Sequence, residues 1–388
     1  MNRLILAILV ALTMPAAAAD DYFVYAGSYT DAPSSAQGIY AWRFSPDKDT
    51  LTPLGLAAAT VNPAYVTATP DGKYLYAVNW QTADAANGGD TVSAFAIDGK
   101  TGKLTFLNKA PAGGGLPNQV IVAPGGKAVV VTDYSFTFKN RNVEQNNSAF
   151  TALPILAGGK LGAPFYHDHH TGPALSPKQT NGAHTHGVVF SQDGAYAFVT
   201  ELGLDRIYTY RFNADKPSFH PFNPPYVKTS PGAGPRRLAL SPGGQFLYVN
   251  HETDSKVSVF AVDGGTLREI QQISTLPHNF TGKNSTAEIA ISRDGRFVYV
   301  SNRGDDSVVD FAVDPKTGGL SAKDRIASMG KSPRNITIDP SGRYLFAANQ
   351  NSDDVVIFRR DAGTGSLTPT GQELKMGQPG SILFVKAP

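Results

Sequence analysis

The 388-residue chain is long enough for one large domain or two ordinary ones. With 41% hydrophobic and 17% charged residues it is globular rather than disordered, and a net charge of +2 supplies no basic field for nucleic acid. It has 39 glycines and 27 prolines, which favour turns over long helices, and no cysteine, which excludes disulfides, thiolate metal sites and a cysteine nucleophile.

The N-terminal segment MNRLILAILVALTMPAAAA reads as a secretory signal. Arg3 precedes an apolar run from Leu4 to Met14, and Ala16 to Ala19 supply the small residues a peptidase cuts after. The run is short for a bilayer span, and it carries neither a twin arginine nor a lipid-anchor cysteine. Cleavage is expected near Ala19. Residues 20–388 then form a single exported domain, periplasmic or secreted, with no membrane attachment.

Two strands come next, in DYFVYAGSYT and GIYAWRF. One hairpin then recurs along the chain: ATPDGKYLYAVN at Ala68–Asn79, VAPGGKAVVVTD at Val122–Asp133, FSQDGAYAFVTE ending at Glu201, LSPGGQFLYVNH ending at His251, ISRDGRFVYVSN ending at Asn302 and IDPSGRYLFAAN ending at Asn349. Each is a strand, a glycine turn and an aromatic-rich strand. A third alternating strand follows, as in TVSAFAID or KVSVFAVD, and a TGxL or GGxL element often opens a fourth. The turn glycines are spaced by 54, 68, 50, 51 and 47 residues. Four strands at this period are the signature of a β-propeller blade.

Six full hairpins are visible, and the chain ends supply a seventh blade when GSILFVK (Gly380–Lys386) joins the N-terminal strands. The expected fold is all-β: a seven-bladed propeller of four-stranded antiparallel blades, closed by its termini so that no sheet edge is left open. The 68-residue spacing reflects a non-repeating stretch, about 136–180, in which SFTFKNRNVEQNNSAF reads as a long polar loop.

Residues before each first strand and after each second strand share one rim. The opposite rim is monotonous (PDG, PGG, QDG, PGG, RDG, PSG) and serves turn geometry. The varied rim gathers His184, His186, Arg236, Arg237, His251, Glu252, Glu288, Arg303, Arg334 and Asn335 at the channel mouth, where a repeat scaffold usually carries function. Glu201 ends the same hairpin that begins at AHTH. Blade-to-blade ion pairing is the plainest role for these charges, and for Arg303 the partner would be Glu288 of its own hairpin. The surplus of arginine suits an anionic or carbonyl-bearing ligand. His167, His169, His170, His184 and His186 are enough imidazoles for a metal, but YHDHHTG lies in an irregular segment and reads as a solvated loop. No metal or other cofactor is expected. No phosphate loop, dinucleotide fingerprint or nucleophile elbow is present in a fitting context.

In its order of motifs the chain resembles the seven-bladed lactonase family, which includes bacterial propeller-type 6-phosphogluconolactonases and fungal carboxymuconate cyclases. The resemblance lies in YAGSYT…GIYAWRF, NPAYVTATPDGKYLYAVN, HTHGVVFSQDGAYAFVTELGLDRIYTY, GAGPRRLALSPGGQFLYVNHE, AEIAISRDGRFVYVSNRGDDSV and GKSPRNITIDPSGRYLFAANQNSDDVVIF, nearly all of the mature chain. It implies a lactonase, and the absent cysteines and unscaffolded loop histidines make a metal-independent one the expectation. The family's site of one histidine, two arginines and one glutamate matches His184 or His186, Arg236, Glu252 and Arg303 as catalytic candidates, and the same rim offers Arg237, His251, Glu288, Arg334 and Asn335 as substrate contacts. The substrate would be a small lactone or acidic sugar. Three positions depart from the family pattern: GPRR stands for GPRH, His251 for an asparagine and HTH for HPH. Export also separates this chain from a cytosolic pentose-phosphate lactone. A lactonising cyclase and a non-catalytic binding propeller remain the alternatives.

Overall fold

The computed structural model describes residues 20–80, 90–135, 148–173, 175 and 182–388. The segment 1–19 read as a signal, and residues 136–147 of the stretch read as a polar loop, lie outside the described residues.

Strands β1 (Tyr22–Ser28), β2 (Gly38–Ser45) and β3 (Thr50–Ala59) make most of the closing blade. Blade 1 contains β4 (Val66–Ala68), β5 (Tyr74–Asn79), β6 (Thr91–Ile97) and β7 (Leu104–Pro111). Blade 2 contains β8 (Pro117–Val122), β9 (Ala128–Asp133), β10 (Ala149–Pro154) and β11 (Tyr166–His169). Blade 3 has β12 (Thr185–Phe190), β13 (Tyr196–Glu201), β14 (Arg206–Asn213) and β15 (Ser218–Lys228). Blade 4 has β16 (Pro235–Leu240), β17 (Phe246–His251), β18 (Lys256–Asp263) and β19 (Thr266–Ser274). Blade 5 has β20 (Ser285–Ile291), β21 (Phe297–Arg303), β22 (Ser307–Val313) and β23 (Leu320–Ala327). Blade 6 has β24 (Pro333–Ile338), β25 (Tyr344–Asn349), β26 (Asp354–Arg360) and β27 (Leu367–Lys375). The last strand, β28 (Pro379–Lys386), pairs antiparallel with β1, setting Ile382 opposite Ala26 and Lys386 opposite Tyr22. The two termini thus share blade 7, as the sequence predicts.

Both faces of a second strand are buried, so alternate residues serve different neighbours. In β25, Tyr344, Phe346 and Ala348 pack with Val24 and Phe44 of blade 7, while Leu345 and Ala347 pack with Tyr299 and Val308 of blade 5. Seven such apolar clusters fill the seven junctions between blades. The hairpin glycines Gly72, Gly126, Gly194, Gly244, Gly295 and Gly342 all have φ between 68° and 74°, a region glycine enters without strain.

The TGxL element also locks blades together. The Tyr25 hydroxyl donates to the Gly102 carbonyl at 2.8 Å, Tyr248 to Gly318 at 3.1 Å and Tyr299 to Gly365 at 2.6 Å, each time reaching the next blade. A Cβ on Gly318 would come within 2.3 Å of the Phe246 ring. The tight turn therefore supplies both the acceptor and the space for the neighbour's aromatic pair.

YHDH is not a loop. It forms β11, the outer strand of blade 2, with His169 opposite Ala149. An outer strand faces solvent on one side, so its alternation is polar and carries little apolar signal.

Candidate functional site

Two kinds of backbone position, one or both of them used in each of blades 1 to 6, build the site. The first is a β-bulge on the innermost strand. Pairing skips one residue between Pro117 and Gln119, Thr185 and Gly187, Pro235 and Arg237, and Pro333 and Asn335. The residues left unpaired are Asn118, His186, Arg236 and Arg334. A bulge breaks two-residue alternation and re-aims a side chain. Three of the four follow a proline, which an edge strand tolerates. The second position lies at or just after the end of the second strand and holds Trp80, Tyr134, Glu252 and Arg303 in blades 1, 2, 4 and 5. These eight residues and Leu116 line a cavity of about 260 Å³ on the rim away from the glycine turns.

Glu201 holds one wall of this cavity. Its buried carboxylate accepts the backbone N–H groups of His184 and, at 3.1 Å, Gly203. Its other oxygen lies 3.1 Å from His170 Nδ1, and His170 Nε2 lies 2.8 Å from the Tyr210 hydroxyl. The Ser148 hydroxyl accepts the Thr185 N–H at 2.7 Å. His184 donates through Nδ1 to the Tyr134 carbonyl at 2.7 Å and stacks on that ring with centroids 4.3 Å apart. His184 and Glu201 are therefore framework. Only His186 of this segment reaches the cavity, where its ring meets Tyr134 edge-on at 5.7 Å.

Glu252 joins two arginines from different blades. Its Oε2 lies 2.7 Å from Arg236 Nε and 3.1 Å from an Arg303 terminal nitrogen. Burial alone would raise this carboxyl, but Arg303, Arg236 and Arg334 outweigh it and hold Glu252 at about 2. Arg236 is fully buried and also donates to the Ala287 carbonyl. Burial, with the field of Arg303, lowers it to about 9, which leaves it cationic at neutral pH. Arg303 donates to the Thr286 carbonyl at 3.1 Å, and its buried Nε has no hydrogen-bond acceptor among the described residues. Arg303 thus pairs with Glu252, not with Glu288 of its own hairpin. Arg334 lies over Tyr29 at 5.1 Å and Trp80 at 6.0 Å, and these rings orient its guanidinium. Burial pushes His186 well below its ordinary value, reinforced by Arg236, Arg237, Arg334 and Arg303. Its imidazole is neutral at pH 7.

Five candidates do not line the cavity. His184 is one. His251 is buried in blade 4, with Nδ1 3.1 Å from Asp254 and Nε2 2.9 Å from the Ser258 hydroxyl. It sits one residue before the rim position, so alternation turns it into the sheet. Arg237, Glu288 and Asn335 contact one another within the channel. Glu288 accepts from Asn335 at 2.9 Å and lies 3.7 Å from Arg237 Nε. The histidines of β11 remain on the outer strand, apart from the cavity. Sequence reasoning missed Trp80, Leu116, Asn118 and Tyr134. The signal for Trp80 and Tyr134 was positional, because each follows its second strand as Glu252 does.

Residues 23–384 match the family described as "Lactonase, 7-bladed beta-propeller". A 6-phosphogluconolactonase of Bacillus subtilis strain 168 is 32% identical over 319 residues, 81% of this chain and 84% of that protein. Among solved structures, a periplasmic gluconolactonase of Pseudomonas aeruginosa is 33% identical with a TM-score of 0.86, covering 95% of this chain and 100% of its own. A putative 6-phosphogluconolactonase from Bacteroides fragilis is 29% identical with a TM-score of 0.85, covering 96% and 100%.

Proposed function

The chain belongs to the lactonase family of seven-bladed β-propellers, and from that premise we propose that it hydrolyses the ring ester of a sugar-acid lactone in the cavity at its channel mouth. The strongest support is the neutral, buried His186 sharing one small cavity with two arginines pinned to a single carboxylate. A concave cavity with convergent charged groups favours an enzyme over a flat binding rim.

In this reading the lactone carbonyl oxygen takes N–H donors of Arg303 and Arg236. His186 accepts a proton from water as the water oxygen attacks the carbonyl carbon. The charge that develops on the carbonyl oxygen is met by guanidiniums already in place, with little reorganisation. Collapse breaks the ring C–O bond, and His186 returns its proton to the departing alkoxide. The product is a hydroxy acid, which ionises and releases one proton to solution. Glu252 at about 2 is too weak a base for the first step; it fixes the two arginines instead. Arg334 addresses the polar substituents of the sugar acid.

The reaction is metal-independent. Three guanidiniums against one carboxylate make the lining positive, which repels a divalent cation. The signal-like leader and the periplasmic gluconolactonase both support action outside the cytoplasm. The test is a panel of sugar-acid and muconate lactones assayed by proton release, with and without chelator. Turnover of sugar-acid lactones in both conditions is expected. No turnover of any lactone, or activity that EDTA abolishes and one divalent ion restores, would overturn the proposal.

A further inference from the structure

Beneath the cavity one side chain contacts four other blades. Arg237 of blade 4 follows the bulged Arg236 and is buried. Its two terminal nitrogens donate across the channel, one to the His186 carbonyl of blade 3 and one to the Asn118 carbonyl of blade 2, both at 3.0 Å. Its guanidinium lies over the Tyr65 ring of blade 1 at 4.8 Å, and its Nε lies 3.7 Å from Glu288 of blade 5. Glu288 accepts from Asn335 of blade 6, whose own oxygen accepts the Ile382 N–H of blade 7 at 3.1 Å.

Both carbonyls that Arg237 holds belong to bulge residues. A bulge has lost its ladder hydrogen bonds, so its backbone is set by whatever else grips it. The planar guanidinium fork fixes two carbonyls at once, which the single ammonium point of a lysine does not. We propose that Arg237 is a positioning residue for the reaction: it never touches substrate, but by gripping the bulges of blades 2 and 3 from below it sets where His186 and Asn118 stand in the cavity. This rests on the lactonase reading above.

The test uses the full mature protein with Arg237→Lys and Arg237→Met, measuring kcat, KM, melting temperature and the pH profile. Misplacing a reacting group by about 1 Å can cost roughly a hundredfold. Both variants should therefore lose tenfold to a hundredfold in kcat, well below their melting temperatures, with KM little changed. The charges acting on His186 are Arg236, Arg237, Arg334 and Arg303. Lysine keeps the charge, so the acid limb of its profile should stay in place, whereas methionine should move that limb to higher pH. A strut that only ties blades together would lower the melting temperature and leave kcat alone in the charge-keeping Arg237→Lys. That result overturns the proposal. If Arg237→Met fails to fold, Arg237→Lys decides, and wild-type kcat there overturns it. If the wild type itself turns over no lactone, the lactonase reading fails, and the His186 ring signal in histidine-selective NMR decides instead. A His186 chemical shift identical in wild type and the charge-keeping Arg237→Lys would then overturn the positioning role.

Discussion

Arg236 and Glu252 occupy the two site positions of a single blade, the inner-strand bulge and the residue after the second strand, and they meet with Nε 2.7 Å from Oε2. The contact ties the cavity's most buried cation to the carboxylate that also holds Arg303. In the folded state Glu252 sits at about 2, below its ordinary 4.5. A carboxylate lowered in this way stabilises the fold above its unfolded value, and the contribution is lost as pH falls through the folded one. Glu252→Gln should therefore melt earlier than wild type at pH 7, with the gap closing as pH drops from about 4.5 to about 2. Thermal melts across that window check this. An equal gap at pH 7 and pH 2 would contradict it.

Arg303→Ala should slow lactone turnover by roughly a hundredfold or more, the scale for loss of one oxyanion donor. Its partners are the Glu252 carboxylate and the Thr286 carbonyl, and its side chain is partly exposed. The change should leave the protein folded. Melting temperature and kcat measured on one sample separate the roles. A variant that melts early but keeps wild-type kcat in the cold would make Arg303 a strut.

Glu201→Ala should be among the most destabilising single changes at this rim. The carboxylate is fully buried and serves two backbone N–H groups and His170. Leaving such donors unpaired costs about 1–3 kcal/mol each. Denaturant unfolding should show a loss of several kcal/mol, with activity falling alongside because the His184–His186 segment loses its anchor. A loss below about 1 kcal/mol would contradict this role.

The fold was legible because repetition amplifies a weak signal. A glycine turn at one place in six hairpins, with alternating strands around it, leaves little choice of architecture. The strand Tyr166–His169 was missed because polar alternation on an outer strand resembles a loop. The site was legible only as a rim. The bulges at Asn118, His186, Arg236 and Arg334 depend on inter-strand register, which no local pattern encodes. His251 and Glu252, adjacent in sequence, are both candidates at the rim, although alternation along the second strand turns one into the blade and leaves the other in the cavity. Arg237 likewise resembled a second ligand arginine until its donors were found on the His186 and Asn118 carbonyls. Trp80 and Tyr134 carry no charge, so only their place after a second strand marks them as cavity residues.

The most direct test of lactone hydrolysis at this cavity is the pH dependence of proton release from sugar-acid lactones by wild type and His186→Asn. His186 is held well below its ordinary 6.5 by burial and four arginines, so it stays neutral, and able to accept a proton, down to a pH well under that value. Wild-type kcat/KM should hold steady through neutrality and fall only on the acid side of 6.5. His186→Asn should lose about a hundredfold or more, the scale of general-base catalysis, and lose that acid limb with it. A His186→Asn variant that keeps the wild-type rate and acid limb would contradict the account.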